Sequence, residues 1–200
     1  METLATDTEQ LIKDTAKKVF FVDGNIHATT QDIADAAGIN RASIHYYYRS
    51  RKLLFDKVFT EAITEMRSKM HLIAVQNLPI REKTGEFIDF FFEKSLQHPY
   101  LELFVITERN SNNTLKLAMT EINKDDMHKE LDNEIQKEVA KGLMKPITAN
   151  HFVMTMISLC SFPFLGRSIV QGAINVDDET YSKMLTERKK IILQLFFLDV

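Results

Sequence analysis

The chain has one cysteine and no tryptophan among its 200 residues, with only four prolines and six glycines. A single thiol, Cys160, cannot form an internal disulfide or anchor a thiolate cluster, and it reads as a small buried side chain with a redox role left open. The six histidines, His27, His45, His71, His98, His128 and His151, form no close-spaced ligand motif such as HExxH. No metal and no cofactor is expected. There is also no nucleophile-base constellation, so the chain reads as a non-enzyme. Scarce Gly and Pro exclude a collagen-like repeat and argue against a sandwich. No window approaches the roughly 18 apolar residues of a membrane span, and the opening METLATDTEQ lacks a basic leader and an apolar core. A cytoplasmic setting without a membrane partner is expected.

What is present suits a packed helical protein. The composition is 44% hydrophobic and 26% charged, and a chain of this size hides roughly 70% of its extended surface on folding. The formal net charge of -3 argues against a nucleic-acid partner when taken whole, but its distribution is uneven. Residues 1–60 carry eight Lys or Arg and eight Asp or Glu, while 61–200 carry 17 against 20. Between Ile39 and Leu54 stand Arg41, Arg49, Arg51 and Lys52 with no acid. One short basic surface is available.

Apolar spacing predicts a helix from about Thr8 to Val22, with Leu11, Ile12, Ala16, Val19 and Phe20 on its inner side, stopped by Asp23-Gly24-Asn25. Thr29 and Asp32 form a start resembling a capping box for a second helix carrying Ile33, Ala34 and Ala37, which Gly38 ends. Asn40 caps a third helix from Arg41, with Ile44 inward, and Ser50 caps a fourth running to about Ala74. Phe87, Phe90, Phe91 and Leu96 suggest a further buried helix ending near His98-Pro99, followed by a short one from Tyr100 to Arg109. An interruption is expected at Ser111-Asn112-Asn113, then a polar helical stretch from Leu115 to Val139. Thr148 to Gly172 is apolar and interrupted at Phe162-Pro163-Phe164, and a final amphipathic helix spans Glu179 to Leu195. The expectation is an all-α chain divided into residues 1–50 and 51–200.

A helix, a Gly38-Ile39 turn and a second helix meet the requirements of a helix-turn-helix, in which the first helix braces the second for a DNA groove. The run from Thr29 to Leu54, with the Ala16, Phe20 and Gly24 pattern before it, resembles the N-terminal domain of the TetR family of bacterial transcriptional regulators. The resemblance covers about the first quarter of the chain. It implies a homodimer that places two helix-turn-helix domains on a pseudopalindromic double-stranded operator, and a divergent, larger helical domain for dimerisation and ligand binding.

Carried onto this sequence, the resemblance places Thr29 or Thr30 near a phosphate and Gln31 at the groove entrance. Arg41, Ala42, Ser43, His45, Tyr46 and Tyr47 match the recognition segment. Small Ala42 and Ser43 permit close approach, Arg41 can reach a phosphate or base edge, and the tyrosine hydroxyls can donate to phosphate oxygens. Arg51 or Lys52 can hold a further phosphate. Four positions depart from the family pattern: His45 stands where Tyr is frequent, Tyr48 where Phe is frequent, and Arg51-Lys52 where Lys is usually followed by an acid. The last two helical regions, with Met156, Ile157, Leu185 and Ile192, are the expected dimer interface. An apolar or amphipathic small molecule is the expected effector of a repressor. The competing reading is a helical protein-interaction module without specific DNA binding.

Overall fold

The computed structural model describes residues 2–111 and 124–198. It is helical throughout: α1 (Glu2–Lys17), a π-helical turn (Lys18–Val22), α2 (Thr30–Ala37), α3 (Arg41–Tyr48), α4 (Arg51–Ala74), α5 (Ile80–Gln97), α6 (Leu101–Ser111), α7 (Lys124–Ala140), α8 (Ala149–Leu165), α9 (Arg167–Ile174) and α10 (Asp178–Phe196). Among the described residues the only β pairing is an isolated bridge between Met144 and Phe197. Of the interruption expected at Ser111-Asn112-Asn113, Ser111 is still helical as the last residue of α6; Asn112, Asn113 and the start of the polar stretch from Leu115 lie outside the described residues.

Two compact units emerge. One takes the chain to Lys69 and resumes at Ser95 with α6; the other takes Met70–Lys94 and resumes with α7. This division does not coincide with the boundary expected after residue 50. Leu54, Phe55, Val58, Phe59 and Ile63 of α4 are buried in the same core as α1, α2 and α3, so the first part of α4 belongs to the head.

The head core is aromatic. Phe20 and Phe21 follow each other in sequence and both are fully buried. In an ordinary α-helix successive side chains diverge by about 100°, whereas here the widened turn, closed by Asp23 N–H donating to the Lys18 carbonyl at 2.9 Å, brings both rings inward. Phe20 meets Phe55 edge-on at 5.2 Å, and Phe55 packs against Phe59 at 5.4 Å and Phe104 at 5.2 Å. Gly24 then ends the turn with φ +69°, and a Cβ there would lie 2.7 Å from the Tyr100 ring. Both conformation and space require glycine.

The second unit corrects three expectations. On α5 Ile80, Ile88, Phe91 and Phe92 are buried and Phe87 and Phe90 half-buried, while Leu96, beyond the end of this unit, is exposed. The apolar stretch does not break at Pro163: α8 continues through it to Leu165, and the chain bends by 81° only at Gly166. Proline removes the N–H that would bond the carbonyl four residues earlier, which here belongs to Leu159. Arg188 Nε donates to that carbonyl at 3.0 Å, and the Tyr181 hydroxyl donates to the Pro163 carbonyl at 2.8 Å. The helix survives because α10 supplies the missing donor. Finally, Met156, Leu185 and Ile192 are buried in the chain's own core, so of the four residues assigned to a dimer face only Ile157 is exposed.

Cys160 is fully buried within this core. Lys83 is also buried; its Nζ donates to both carboxylate oxygens of Glu134 at 2.7 and 2.6 Å and to the Ala74 carbonyl at 3.2 Å. One ammonium thereby joins α5, α7 and the end of α4. Among the described residues no single helix is long and apolar enough to cross a membrane.

Candidate nucleic-acid interface

Local sequence sets the geometry of α2 and α3. Thr29 caps α2 in a reciprocal box: its Oγ1 accepts from the Asp32 N–H at 3.2 Å, and its own N–H donates to Asp32 Oδ2 at 2.7 Å. The Thr29 N–H and, second, the Thr29 hydroxyl, which also donates to Asp32 Oδ2 at 2.9 Å, hold the Asp32 carboxyl below its ordinary range. Asp replaces the usual Glu or Gln and the box still closes. Gly38 ends α2 at φ +66°, its N–H reaching back to the Ala34 and Asp35 carbonyls. A Cβ there would touch nothing, so the left-handed backbone alone selects glycine. Asn40 Oδ1 then accepts from the Ala42 N–H at 2.8 Å and opens α3.

Ile44 and Tyr48 are the buried residues of α3. The Tyr48 hydroxyl donates to Glu9 Oε1 at 3.1 Å, giving the added oxygen a partner where the family pattern has phenylalanine. Burial first, and the Glu9 carboxylate second, push the phenol above its ordinary pKa. With these two side chains inward, the opposite face is left to solvent. Arg41, Ala42, His45 and Tyr46 are exposed, Ser43 and Tyr47 half-buried, and Tyr46 reaches 79% exposure. The rings of Tyr46 and Tyr47 meet edge to face at 5.0 Å.

An open groove of about 720 Å³ brings several predicted residues together, with Thr29, Thr30, Arg41, Ala42, His45 and Arg51 on its walls. Arg41 Nε donates to Thr30 Oγ1 at 3.2 Å, linking the start of α3 to the start of α2. Asn40, Arg49 and Ser50 line the same groove and were not among the predicted site residues. Arg49 could have been found from the acid-free run, but its place at the end of α3, with φ 55°, comes only from the turn.

Other predicted residues have local partners. Gln31 Nε2 donates to Asp35 Oδ1 at 2.7 Å on the exposed side of α2. Lys52 is exposed and pairs with Asp56 one turn along α4 at 2.5 Å. Arg51 is held more firmly. Its Nε donates to the Ala28 carbonyl at 2.6 Å, an Nη donates to the Ile26 carbonyl, and the guanidinium lies 5.2 Å from the Phe20 ring centre. It braces the loop that leads into the α2 cap.

The arrangement offers a narrow convex helix with cations, hydroxyls and an imidazole on its outer face and no carboxylate on that helix. Small Ala42 and Ser43 leave its backbone approachable. A helix of this kind fits a major groove about 12 Å wide, with flanking cations placed for phosphates.

Comparison with known proteins agrees with this geometry. Residues 12–58 match the family of bacterial regulatory proteins described as the tetR family. The chain is 24% identical over 201 residues to YttP of Bacillus subtilis, named a probable HTH-type transcriptional regulator, covering 97% of this chain and 96% of that one. It is 31% identical over 80 residues to YhgD of the same organism, an uncharacterized HTH-type transcriptional regulator, a match spanning 40% of this chain and 41% of that relative. The fold resembles the crystal structure of a TetR/AcrR-family regulator from Thermobifida fusca, with TM-score 0.64 and 15% identity over 94% of this chain and 97% of the other.

Proposed function

Because residues 12–58 match the tetR family of bacterial regulatory proteins and nearly the whole length aligns with a probable HTH-type transcriptional regulator, we propose that the chain is a homodimeric DNA-binding repressor of that family, released from a pseudopalindromic operator by a small apolar or amphipathic molecule. The observation carrying this reading is the exposed, acid-free outer face of α3, tied through Arg41 and Thr30 to the start of α2. In a dimer two such helices enter successive major grooves about 34–36 Å apart. His45, Tyr46 and Arg41 face base edges, and Ala42 and Ser43 allow close approach. Thr30, Tyr47 and Lys52 contact phosphates. Arg51 acts from behind, since its donors are engaged with the loop before α2.

The dimer face lies on the outer sides of α8 and α10, where Val153, Met154 and Ile157 stand on one helix and Met184, Ile191 and Leu195 on the other, all exposed. Pairing these stripes between two copies removes a large apolar surface from water. The protein works in the cytoplasm, where operator and effector meet.

Selection of genomic fragments by the purified protein tests the reading. A dyad with half-sites one helical turn apart should be enriched, and Arg41→Ala should weaken binding by about 1–3 kcal/mol if it reads a base. Affinity should fall steeply with salt, and Lys52→Gln should lower the logarithmic salt slope by about one. Fragments recovered without a common dyad, or binding indifferent to salt, would refute it.

A further inference from the structure

Behind the recognition hairpin the head contains a second concavity, a crevice of about 290 Å³. Its apolar walls are Ile26, Phe55, Leu103 and Phe104, and its charged edge is Arg51, Lys52 and Asp56. Two positive charges and one negative leave one net positive charge. An occupant with one negative charge and a flat apolar body matches both parts.

Arg51 is the residue common to this crevice and to the groove beside α3. Its present hydrogen-bond acceptors are two neutral backbone carbonyls, those of Ile26 and Ala28, and the guanidinium also lies over the Phe20 and Phe55 rings. A carboxylate is a stronger acceptor for a guanidinium fork than a neutral carbonyl, because it carries a full opposite charge and can take two parallel N–H bonds at once. The loop it holds runs directly into Thr29, the cap of α2. Whatever takes Arg51 from those carbonyls loosens the base of the recognition hairpin.

We propose that this crevice binds a small aromatic carboxylate, and that occupancy draws Arg51 from the Ile26–Ala28 loop and lowers operator affinity. The ring packs against Phe55, Phe104 and Leu103, while the carboxylate lies between Arg51 and Lys52. The link to affinity rests on the regulator reading above; the site itself does not. Reciprocity requires that operator weaken anion binding by the same factor.

Sodium benzoate is the probe, titrated into the full-length protein with methyl NMR detection and with neutral benzamide as control. Saturable shifts at the Ile26, Leu103 and Thr107 methyls are expected with benzoate and not with benzamide. Leu103→Trp, at an exposed position that fills the crevice, should abolish those at Ile26 and Thr107. Saturating benzoate should reduce operator affinity by about 5–150-fold, the range of ordinary allosteric coupling, and have no effect on Leu103→Trp. The absence of saturable shifts, or equal shifts with benzamide, overturns the site. Saturation without any change in operator affinity overturns the link to Arg51. A wild-type protein that selects no DNA refutes the regulator reading, and the NMR titration then decides the crevice alone.

Discussion

The caps and the turn of the α2–α3 hairpin are set by residues within a few positions of one another, whereas two groups of the second unit are answered by partners far along the chain. Thr29 answers Asp32, Asn40 answers Ala42, and Gly38 needs only its own backbone freedom. In the second unit Arg188 answers Leu159 and Lys83 answers Glu134. The difference teaches where substitutions propagate. A local cap fails locally, while a lost long-range partner leaves an unanswered group inside another helix's environment.

The largest effect that would test this contrast is expected at Lys83. Replacing it with Met leaves Glu134 without its ammonium and the Ala74 carbonyl without a donor. Removing one member of a buried pair costs about 3–5 kcal/mol, and the lower end applies here because Glu134 keeps 38% side-chain exposure. Urea denaturation followed by circular dichroism measures it; a loss below about 1 kcal/mol would put this pair with ordinary surface bridges.

Arg188→Met comes next, because it returns the Leu159 carbonyl to the state that Pro163 created. A loss of about 1–2 kcal/mol is expected, with faster amide exchange confined to α8 and α10. Unchanged exchange there would show that the helix tolerates Pro163 without α10.

The smallest effect belongs to the hairpin. The Asp32 carboxyl is held below the ordinary aspartate range by the hydrogen bonds it accepts from Thr29. A carboxyl depressed on folding adds stability above its unfolded pKa and loses it as pH falls through the folded value. Protection of the α2 amides should therefore decline in acid below about pH 4. Asp32→Asn keeps an acceptor but removes this decline; persistence of the acid limb in that variant would assign it to another group, such as Glu61. The Glu61 carboxyl is also depressed: burial raises it, but the Lys13 hydrogen bond and the charges of Lys13, Lys17 and Lys57 outweigh that.

The same contrast explains what was legible in the sequence. Caps, turn glycines and the inward Ile44 follow from near neighbours, so α2, α3 and the start of α4 could be placed from the chain alone. Pro163 misled because its compensation lies in Arg188, 25 positions away in sequence. The dimer-face residues misled for a related reason: apolar character does not say which side of an apolar helix faces its own core, and Met156 points inward while neighbouring Ile157 points out. The cation at Arg51 was legible, but its two carbonyl partners appear only once the Ile26–Ala28 loop is folded against α4.

The exposed Tyr46, set edge-on to Tyr47, also gives the molecule an optical handle. With no tryptophan and five tyrosines, the near-ultraviolet emission of the whole protein comes from phenol rings. Tyr48 and Tyr181 are buried, while Tyr46 and Tyr47 stand on the helix that meets DNA. A nucleic acid arriving at that face changes the surroundings of a large share of the emitters, so unlabelled protein carries its own reporter of occupancy.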